Sequence, residues 1–244
     1  MNEKELAARL IGCLDLTSLN RDDTEEKIAS LCQKATTPFG NVAAVCVYPE
    51  WVAFARKKLK KTPIKIATVV NFPDGGTDLT RIKEETKKAL SNGAEEIDAV
   101  FPYRSFLEGD LDTCKRFLEI IQRECLRQSS KIILETGELK HVSKIAEATE
   151  LCLKYSTSFI KTSTGKTPVS ATIGAANIIL ETIRDSGKKV GFKASGGIRD
   201  FEEARKYLLL SEIILGEGWA TPDHFRIGAS SLLDDLISQL TDGE

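Results

Sequence analysis

Apolar residues recur along the chain in short runs, each followed by a longer stretch with helical spacing. The runs cover residues 11–17, 42–47, 64–70, 96–101, 131–136, 159–163, 190–194 and 212–216. A run such as Val42-Ala-Ala-Val-Cys-Val47 is apolar throughout rather than alternating, which predicts a parallel strand covered on both faces. The stretches between the runs predict helices. Asp-Asp-Thr-Glu-Glu opens the stretch 22–35 as a cap, and Ile28, Leu31 and Ala35 follow at helical spacing. Pro49 stands at the start of the stretch 49–60, where a helix tolerates proline. Further helices are expected over 79–91, 110–127, 140–154, 170–184, 200–209 and 225–240, with a short one over 3–10 ahead of the first strand. Eight strand-then-helix units with no linker or low-complexity break predict an α/β fold, a single-domain (β/α)8 TIM barrel over 1–244 with a short N-terminal helix. An open doubly wound sheet, or two small domains, would leave some segments over.

Composition narrows the function classes. The 244 residues are 41% hydrophobic and 29% charged, ordinary for a globular protein, and the formal charge of −2 gives no global pull toward nucleic acid or an anionic membrane. No run approaches the roughly 18 apolar residues that a membrane span needs, and the charged start Met1-Asn-Glu-Lys-Glu does not resemble a signal peptide, so a cytoplasmic location is expected. Six cysteines (Cys13, Cys32, Cys46, Cys114, Cys125, Cys152) form no C-x-x-C pair, which argues against a disulfide framework or a thiolate metal site. The two histidines, His141 and His224, stand apart beside charged sequence, so no histidine metal centre is expected. Cys46 lies at a strand end and reads as a core or pocket-lining thiol in preference to a reactive one.

The chemistry lies in polar residues embedded in the apolar runs. Lys161 follows Phe159 and Ile160, and Lys193 follows Val190, Gly191 and Phe192. A lysine there is either a snorkelling edge residue or a deliberately desolvated amine. Asp15 and Asp98 occupy similar places in the first and fourth runs. In a (β/α)8 barrel the strand ends and the loops after them build the active site, so these four side chains are expected to converge over one mouth. An ordinary lysine amine is almost entirely protonated at pH 7, but desolvation and a second ammonium both disfavour the charged form and would produce a carbonyl nucleophile. Asp98 could offset the excess charge and shuttle protons. The residues alone leave open which lysine attacks.

A phosphate pocket is the second expectation, since barrels often hold phosphate in the loops after strands seven and eight. Gly196-Gly-Ile-Arg199 follows the seventh run, and Arg226-Ile-Gly-Ala-Ser-Ser231 is expected after the eighth. Glycines admit close backbone approach, Ser230 and Ser231 offer hydroxyls, and Arg199 or Lys166 offers charge. Ser163-Thr-Gly-Lys166 lacks the full P-loop spacing, and no G-x-G-x-x-G opens a strand-helix-strand unit.

Several longer motifs carry a resemblance over nearly the whole chain. They are Leu14-Asp-Leu-Thr17, Lys34-Ala-Thr-Thr-Pro38, Cys46-Val-Tyr-Pro49, Ala67-Thr-Val-Val-Asn-Phe-Pro73, Glu96-Ile-Asp-Ala-Val-Phe-Pro-Tyr-Arg104, Glu135-Thr-Gly-Glu-Leu139, Phe159-Ile-Lys-Thr-Ser-Thr-Gly-Lys166, Gly191-Phe-Lys-Ala-Ser-Gly-Gly-Ile-Arg199 and Gly228-Ala-Ser-Ser231. With these in order the chain resembles the deoxyribose-phosphate aldolase family, class I Schiff-base aldolases of (β/α)8 form. The resemblance implies reversible cleavage of 2-deoxy-D-ribose 5-phosphate to acetaldehyde and D-glyceraldehyde 3-phosphate in deoxyribonucleoside catabolism, without metal or organic cofactor. It implies that Lys161 forms the imine, that Lys193 and Asp98 tune it and move protons, and that Asp15 supports Lys193. It also implies that Gly165, Lys166, Gly196, Gly197, Arg199, Gly228, Ser230 and Ser231 hold phosphate, and that the chain forms a homodimer. The last residues, 239–244, lack the terminal tyrosine that some members use in proton transfer, which leaves a tail-assisted step open. A transaldolase-like Schiff-base aldolase and a non-catalytic phosphosugar-binding barrel share the fold, and Lys161, Lys193 and Asp98 together argue against the second.

Overall fold

Eight parallel strands close into a barrel in the computed structural model, which describes residues 2–241. They are β1 (Leu14–Ser18), β2 (Ala44–Val47), β3 (Lys65–Val70), β4 (Glu96–Val100), β5 (Ser129–Ile133), β6 (Phe159–Lys161), β7 (Gly191–Ser195) and β8 (Phe225–Ala229). Each pairs with its neighbours in sequence, and β1 closes the ring against β8 through Asp15 opposite Gly228. The helices that follow the strands are Glu25–Lys34, Val52–Leu59, Leu79–Ser91, Leu111–Glu124, Val142–Leu153, Ile173–Ser186, Phe201–Leu215 and Leu232–Thr241. Thr24, Asp78, Asp110, Thr172 and Asp200 cap five of them by accepting a first-turn N–H, which fixes where each loop at the barrel mouth ends. The leading helix Glu3–Gly12 starts in a reciprocal Asn2–Glu5 cap, and its Arg9 donates to the Ala220 carbonyl ahead of β8 at 3.1 Å.

The period-two alternation of the strands splits the apolar residues into two clusters. Leu14, Leu16, Val45, Val47, Ile66, Ile97, Ile132, Ile160 and Phe192 face outward and pack with the helices in the main core. Ala44, Cys46, Ala67 and Val69 face inward from β2 and β3 and, with Leu19, form a small separate cluster. Much of the rest of the barrel interior is charged. Asp15, Glu96, Asp98, Lys131, Lys161, Lys193 and Arg226 are all buried there. Bulky branched side chains normally fill this space, so seven ionisable groups in it need a chemical reason.

One expected element is wrong and several boundaries move. Residues 212–215 close the helix Phe201–Leu215, and the eighth strand is Phe225–Ala229, inside the stretch expected to be a helix. Ile213 is 81% exposed on that helix's last turns, and Gly216 ends it at φ 109°, so a short Ile-Ile-Leu run before glycine mimicked a strand. In β8 the arginine and glycine diluted the strand signal. The first helix reaches Gly12, so β1 starts at Leu14 instead of residue 11. β5 ends at Ile133, because Glu135 turns left-handed at φ 56°. The short helices Tyr103–Leu107 and Thr136–Leu139, and a two-stranded hairpin of Thr36–Thr37 and Gly40–Asn41, are additions. No helix among the described residues is long and apolar enough to cross a membrane. Residues 242–244, part of the tail compared above, lie outside the described residues.

Candidate active site

Lys161 is the last residue of β6, directly opposite Lys193 in the register with β7, and Asp98 on β4 faces them across the barrel. The Lys161 and Lys193 ammonium nitrogens each lie 2.8 Å from the same oxygen, Asp98 Oδ2. Lys193 also donates to Asp15 Oδ2 from β1. The four side chains singled out in the sequence therefore meet in one network, and all are buried, Lys161 at 3% exposure being the least covered. Room for Lys193 comes from Gly228 on β8, where a Cβ would sit 3.0 Å from its Cε.

Beneath these groups lies a second storey. Lys131 on β5 donates to Asp98 Oδ1 at 2.8 Å and to Glu96 Oε2 at 2.5 Å. Arg226 on β8 spans Asp15 Oδ1 at 2.6 Å and Glu96 Oε1 at 2.9 Å, with its guanidinium 5.4 Å from the Phe159 ring centroid. Four cationic side chains thus face three carboxylates. With every group ionised the set carries one positive charge in excess, in an interior where an unmatched charge is costly.

The excess falls on Lys161. Burial works against its charged form, Asp98 only partly offsets this, and the Lys193 ammonium adds to it, so its pKa is lowered from the ordinary lysine value. Lys193 is equally buried, but Asp15 and Asp98 outweigh the burial and raise its pKa. Lys131 and Arg226 are likewise held cationic against burial by the surrounding carboxylates. Burial pushes the three carboxyls up, yet their cations prevail and hold each below the ordinary carboxylate range: Lys193 first for Asp15, Lys131 first for Glu96 and Asp98. Cys46, on the apolar side of the interior, is pushed up to about 11 by burial, which suits a wall and not a thiolate.

Lys161 opens upward onto a cavity of about 270 Å³ between the loops after β1, β6, β7 and β8. All eight residues proposed from the sequence for phosphate line this cavity, from Gly165 and Lys166 through Gly196, Gly197 and Arg199 to Gly228, Ser230 and Ser231. The loops after β6 and β7 touch without side chains, since a Cβ on Gly196 would fall 2.9 Å from the Gly165 Cα. Lys166 reaches across the opening, its amine 2.7 Å from the Leu19 carbonyl. Glu135 braces this wall from below by accepting from the Thr164 N–H at 3.3 Å and from the Thr167 hydroxyl at 3.1 Å. Asp15, Asp98 and Lys193 do not line the cavity, so of these four side chains Lys161 alone reaches it.

Arg226 corrects the sequence reading. It lies within β8 with its side chain in the lower storey, not in the loop that lines the cavity. Lys131, Glu96, Arg226 and Glu135 were missed as members of the site. Alternation offered a signal for two: Glu96 stands two residues before Asp98 and Arg226 two before Gly228, on the same faces. Lys131 opens its apolar run, where a lysine ordinarily marks a solvated strand end.

Residues 9–236 match the model of the DeoC/LacD family aldolases. A deoxyribose-phosphate aldolase of Agrobacterium fabrum is 48% identical over 243 residues, 99% of this chain and 94% of that protein. Among solved structures, an aldolase named QR15 superposes with a TM-score of 0.82 at 28% identity over 96% of this chain and 99% of its own. A deoxyribose phosphate aldolase of Aeropyrum pernix, described as a tetramer, has a TM-score of 0.78 at 23% identity over 98% and 93%, which speaks for the fold alone. With a match that runs through all eight strands and both mouth lysines, this chain belongs to the DeoC/LacD family of aldolases.

Proposed function

We propose that the protein is a deoxyribose-phosphate aldolase that cleaves 2-deoxy-D-ribose 5-phosphate through an imine on Lys161. The observation that carries this reading is a single buried amine with a lowered pKa at the floor of a cavity whose opposite wall is rich in glycine, hydroxyl and cationic groups. The free amine of Lys161 adds to the C1 aldehyde of the open-chain sugar, and loss of water gives a protonated imine. A five-carbon substrate that yields a two-carbon aldehyde must break between C2 and C3. The C3 hydroxyl loses its proton, the C2–C3 electron pair moves into the imine, and glyceraldehyde 3-phosphate departs from an enamine. Protonation at C2 and addition of water then release acetaldehyde and restore Lys161. Asp98 and Lys193, joined to each other and to Lys161, supply and receive these protons, and Asp15 holds Lys193. The apolar face of Ala44, Cys46, Ala67 and Val69 suits the small aldehyde.

At the far end the loop glycines, Ser230, Ser231, Lys166 and Arg199 take the phosphate, with Lys166 exchanging the Leu19 carbonyl for a phosphate oxygen. The same reading makes the chain one catalytic domain over 1–244, a homodimer and a cytoplasmic enzyme of deoxyribonucleoside catabolism; light scattering checks the subunit count. Borohydride reduction with acetaldehyde is the test of mechanism. An ethyl group on the Lys161 peptide is expected; label on Lys193 would reverse the two roles, and label on neither would remove the Schiff-base reading.

A further inference from the structure

We propose that Arg226 is a positioning residue for the aldolase reaction: by occupying Asp15 and Glu96 it leaves Lys131 and Lys193 to saturate Asp98, so that Lys161 remains the surplus cation and gives up its proton first. The inference rests on the reading of Lys161 as the imine-forming amine.

The partition of the carboxylate oxygens supports it. Asp98 Oδ1 takes Lys131 at 2.8 Å, and Asp98 Oδ2 is shared by Lys161 and Lys193, both at 2.8 Å. Asp15 Oδ1 takes Arg226 at 2.6 Å and Asp15 Oδ2 takes Lys193, with Lys131 3.6 Å from that same oxygen. Glu96 is held from both sides, by Arg226 at 2.9 Å and by Lys131. Arg226 itself is fixed by the Pro222 carbonyl and the Phe159 ring and does not line the upper cavity, so it touches no substrate. Without its charge, Asp15 and Glu96 would draw Lys193 and Lys131 toward themselves. Asp98 would then turn to Lys161 and keep it an ammonium. Asp98 from β4, Lys193 from β7 and the Cys46 thiol from β2 act on Lys161 directly, and behind them stand Lys131 from β5 and Asp15 from β1, then Glu96 from β4 and Arg226 from β8. Of these, Glu96 and Arg226 pair with neither Asp98 nor the two upper lysines, which makes them the pair whose alteration tests remote control.

The test reads the acid limb of kcat/KM, which reports the free enzyme, together with borohydride labelling of Lys161. Arg226→Met should move the limb toward alkali by about one pH unit, the size expected for a unit charge acting through an effective dielectric near 20. Activity near neutrality should fall about tenfold and return at high pH. Glu96→Gln should move the limb the opposite way, toward acid, and the double variant should lie close to the parent. Arg226→Lys keeps the charge and should keep the parental limb. General loosening of the barrel would not give opposite signs, and if Arg226→Met does not fold, Glu96→Gln and Arg226→Lys still decide. Label on Lys161 with limbs that stay put, or that shift in the same direction for both variants, overturns this inference alone. No label on Lys161 in the parent overturns the Schiff-base reading and this inference with it.

Discussion

Replacing Lys161 with methionine should leave the fold as stable as the parent or more stable, whereas Asp98→Asn should weaken it severely. The reason is the unequal count of charges inside the barrel. Lys161 is one of four cations facing three carboxylates, it has one partner, Asp98 at 2.8 Å, and burial outweighs that partner. Methionine fills a similar volume and leaves three cations against three anions. Replacing a buried ionic group by an apolar one of its size is often neutral or stabilising by about 1–4 kcal/mol, and the low end applies here because Asp98 loses a donor. Asp98→Asn removes the shared partner of three ammonium groups and leaves four cations against two anions. Stranding buried charge in this way costs about 3–5 kcal/mol. At roughly 2–4 °C per kcal/mol for a chain of this size, the asparagine variant should melt about 10 °C below the parent and the methionine variant at or a few degrees above it. The double variant should recover part of the loss, and that recovery measures the coupling between the two sites. Scanning calorimetry at neutral pH, with circular dichroism to confirm the fold, provides the values. If Lys161→Met is destabilised as much as Asp98→Asn, Lys161 is an ordinary member of a balanced network and the origin assigned to its lowered pKa is wrong.

Arg199→Ala should reduce kcat/KM for the phosphorylated sugar by roughly 10- to 150-fold, since a charge-assisted donor contributes about 1.5–3 kcal/mol, and Ser230→Ala with Ser231→Ala, which removes two donors, should reduce it further, while unphosphorylated deoxyribose is little affected; equal losses on both would remove the phosphate role. Lys193→Leu should retain labelling of Lys161 at high pH with little turnover near neutrality, because the neighbouring ammonium that disfavours the charged form is gone; full turnover at pH 7 would refute it. Activity should survive exhaustive EDTA treatment, as a protonated imine withdraws electrons without a Lewis acid, and loss restored by zinc would contradict the mechanism. Asp15, Glu96 and Asp98 are held below the ordinary carboxylate range, so around pH 4 and below the folded state binds fewer protons than the unfolded chain. The stability they contribute is therefore whole above about pH 5 and is lost as pH falls through their folded values, so Tm measured from pH 7 to 3 should drop steeply below about pH 4.5; a flat profile would show that the pairing adds little.

The fold was legible where pattern and position agreed. Seven of the eight strands were located, within a few residues, by apolar runs that parallel strands produce because both faces are covered. The eighth was misplaced because Phe225-Arg-Ile-Gly-Ala carries an arginine and a glycine where an ordinary strand carries apolar residues. Both exceptions belong to the ionic interior: the arginine pairs with Asp15 there, and the glycine makes way for Lys193. Local reading thus failed where the site overrides the ordinary rules of strand composition.

The upper storey of the site was legible because lysines at two strand ends contradict their surroundings, and the long motifs beside them are specific. The lower storey was not, because a lysine or glutamate at the start of a strand looks solvated unless the barrel is known to close over it. Glu96 opens β4, and Lys131, which opens its apolar run, is the third residue of β5, yet closure leaves them 4% and 0% exposed. Only the three-dimensional count of charges shows why they are needed. An interior with Lys161, Lys193 and Asp98 alone would hold two ammonium groups against one carboxylate, and nothing would decide which amine loses the one excess proton. Adding Asp15 by itself would balance the set and keep both charged. The further pairing of Lys131 and Arg226 with Glu96 fixes the excess at one charge and assigns each carboxylate oxygen a donor. Two lysines of identical side-chain chemistry can then stand opposite each other in register with pKa values displaced in opposite directions, which neither residue's local sequence could specify.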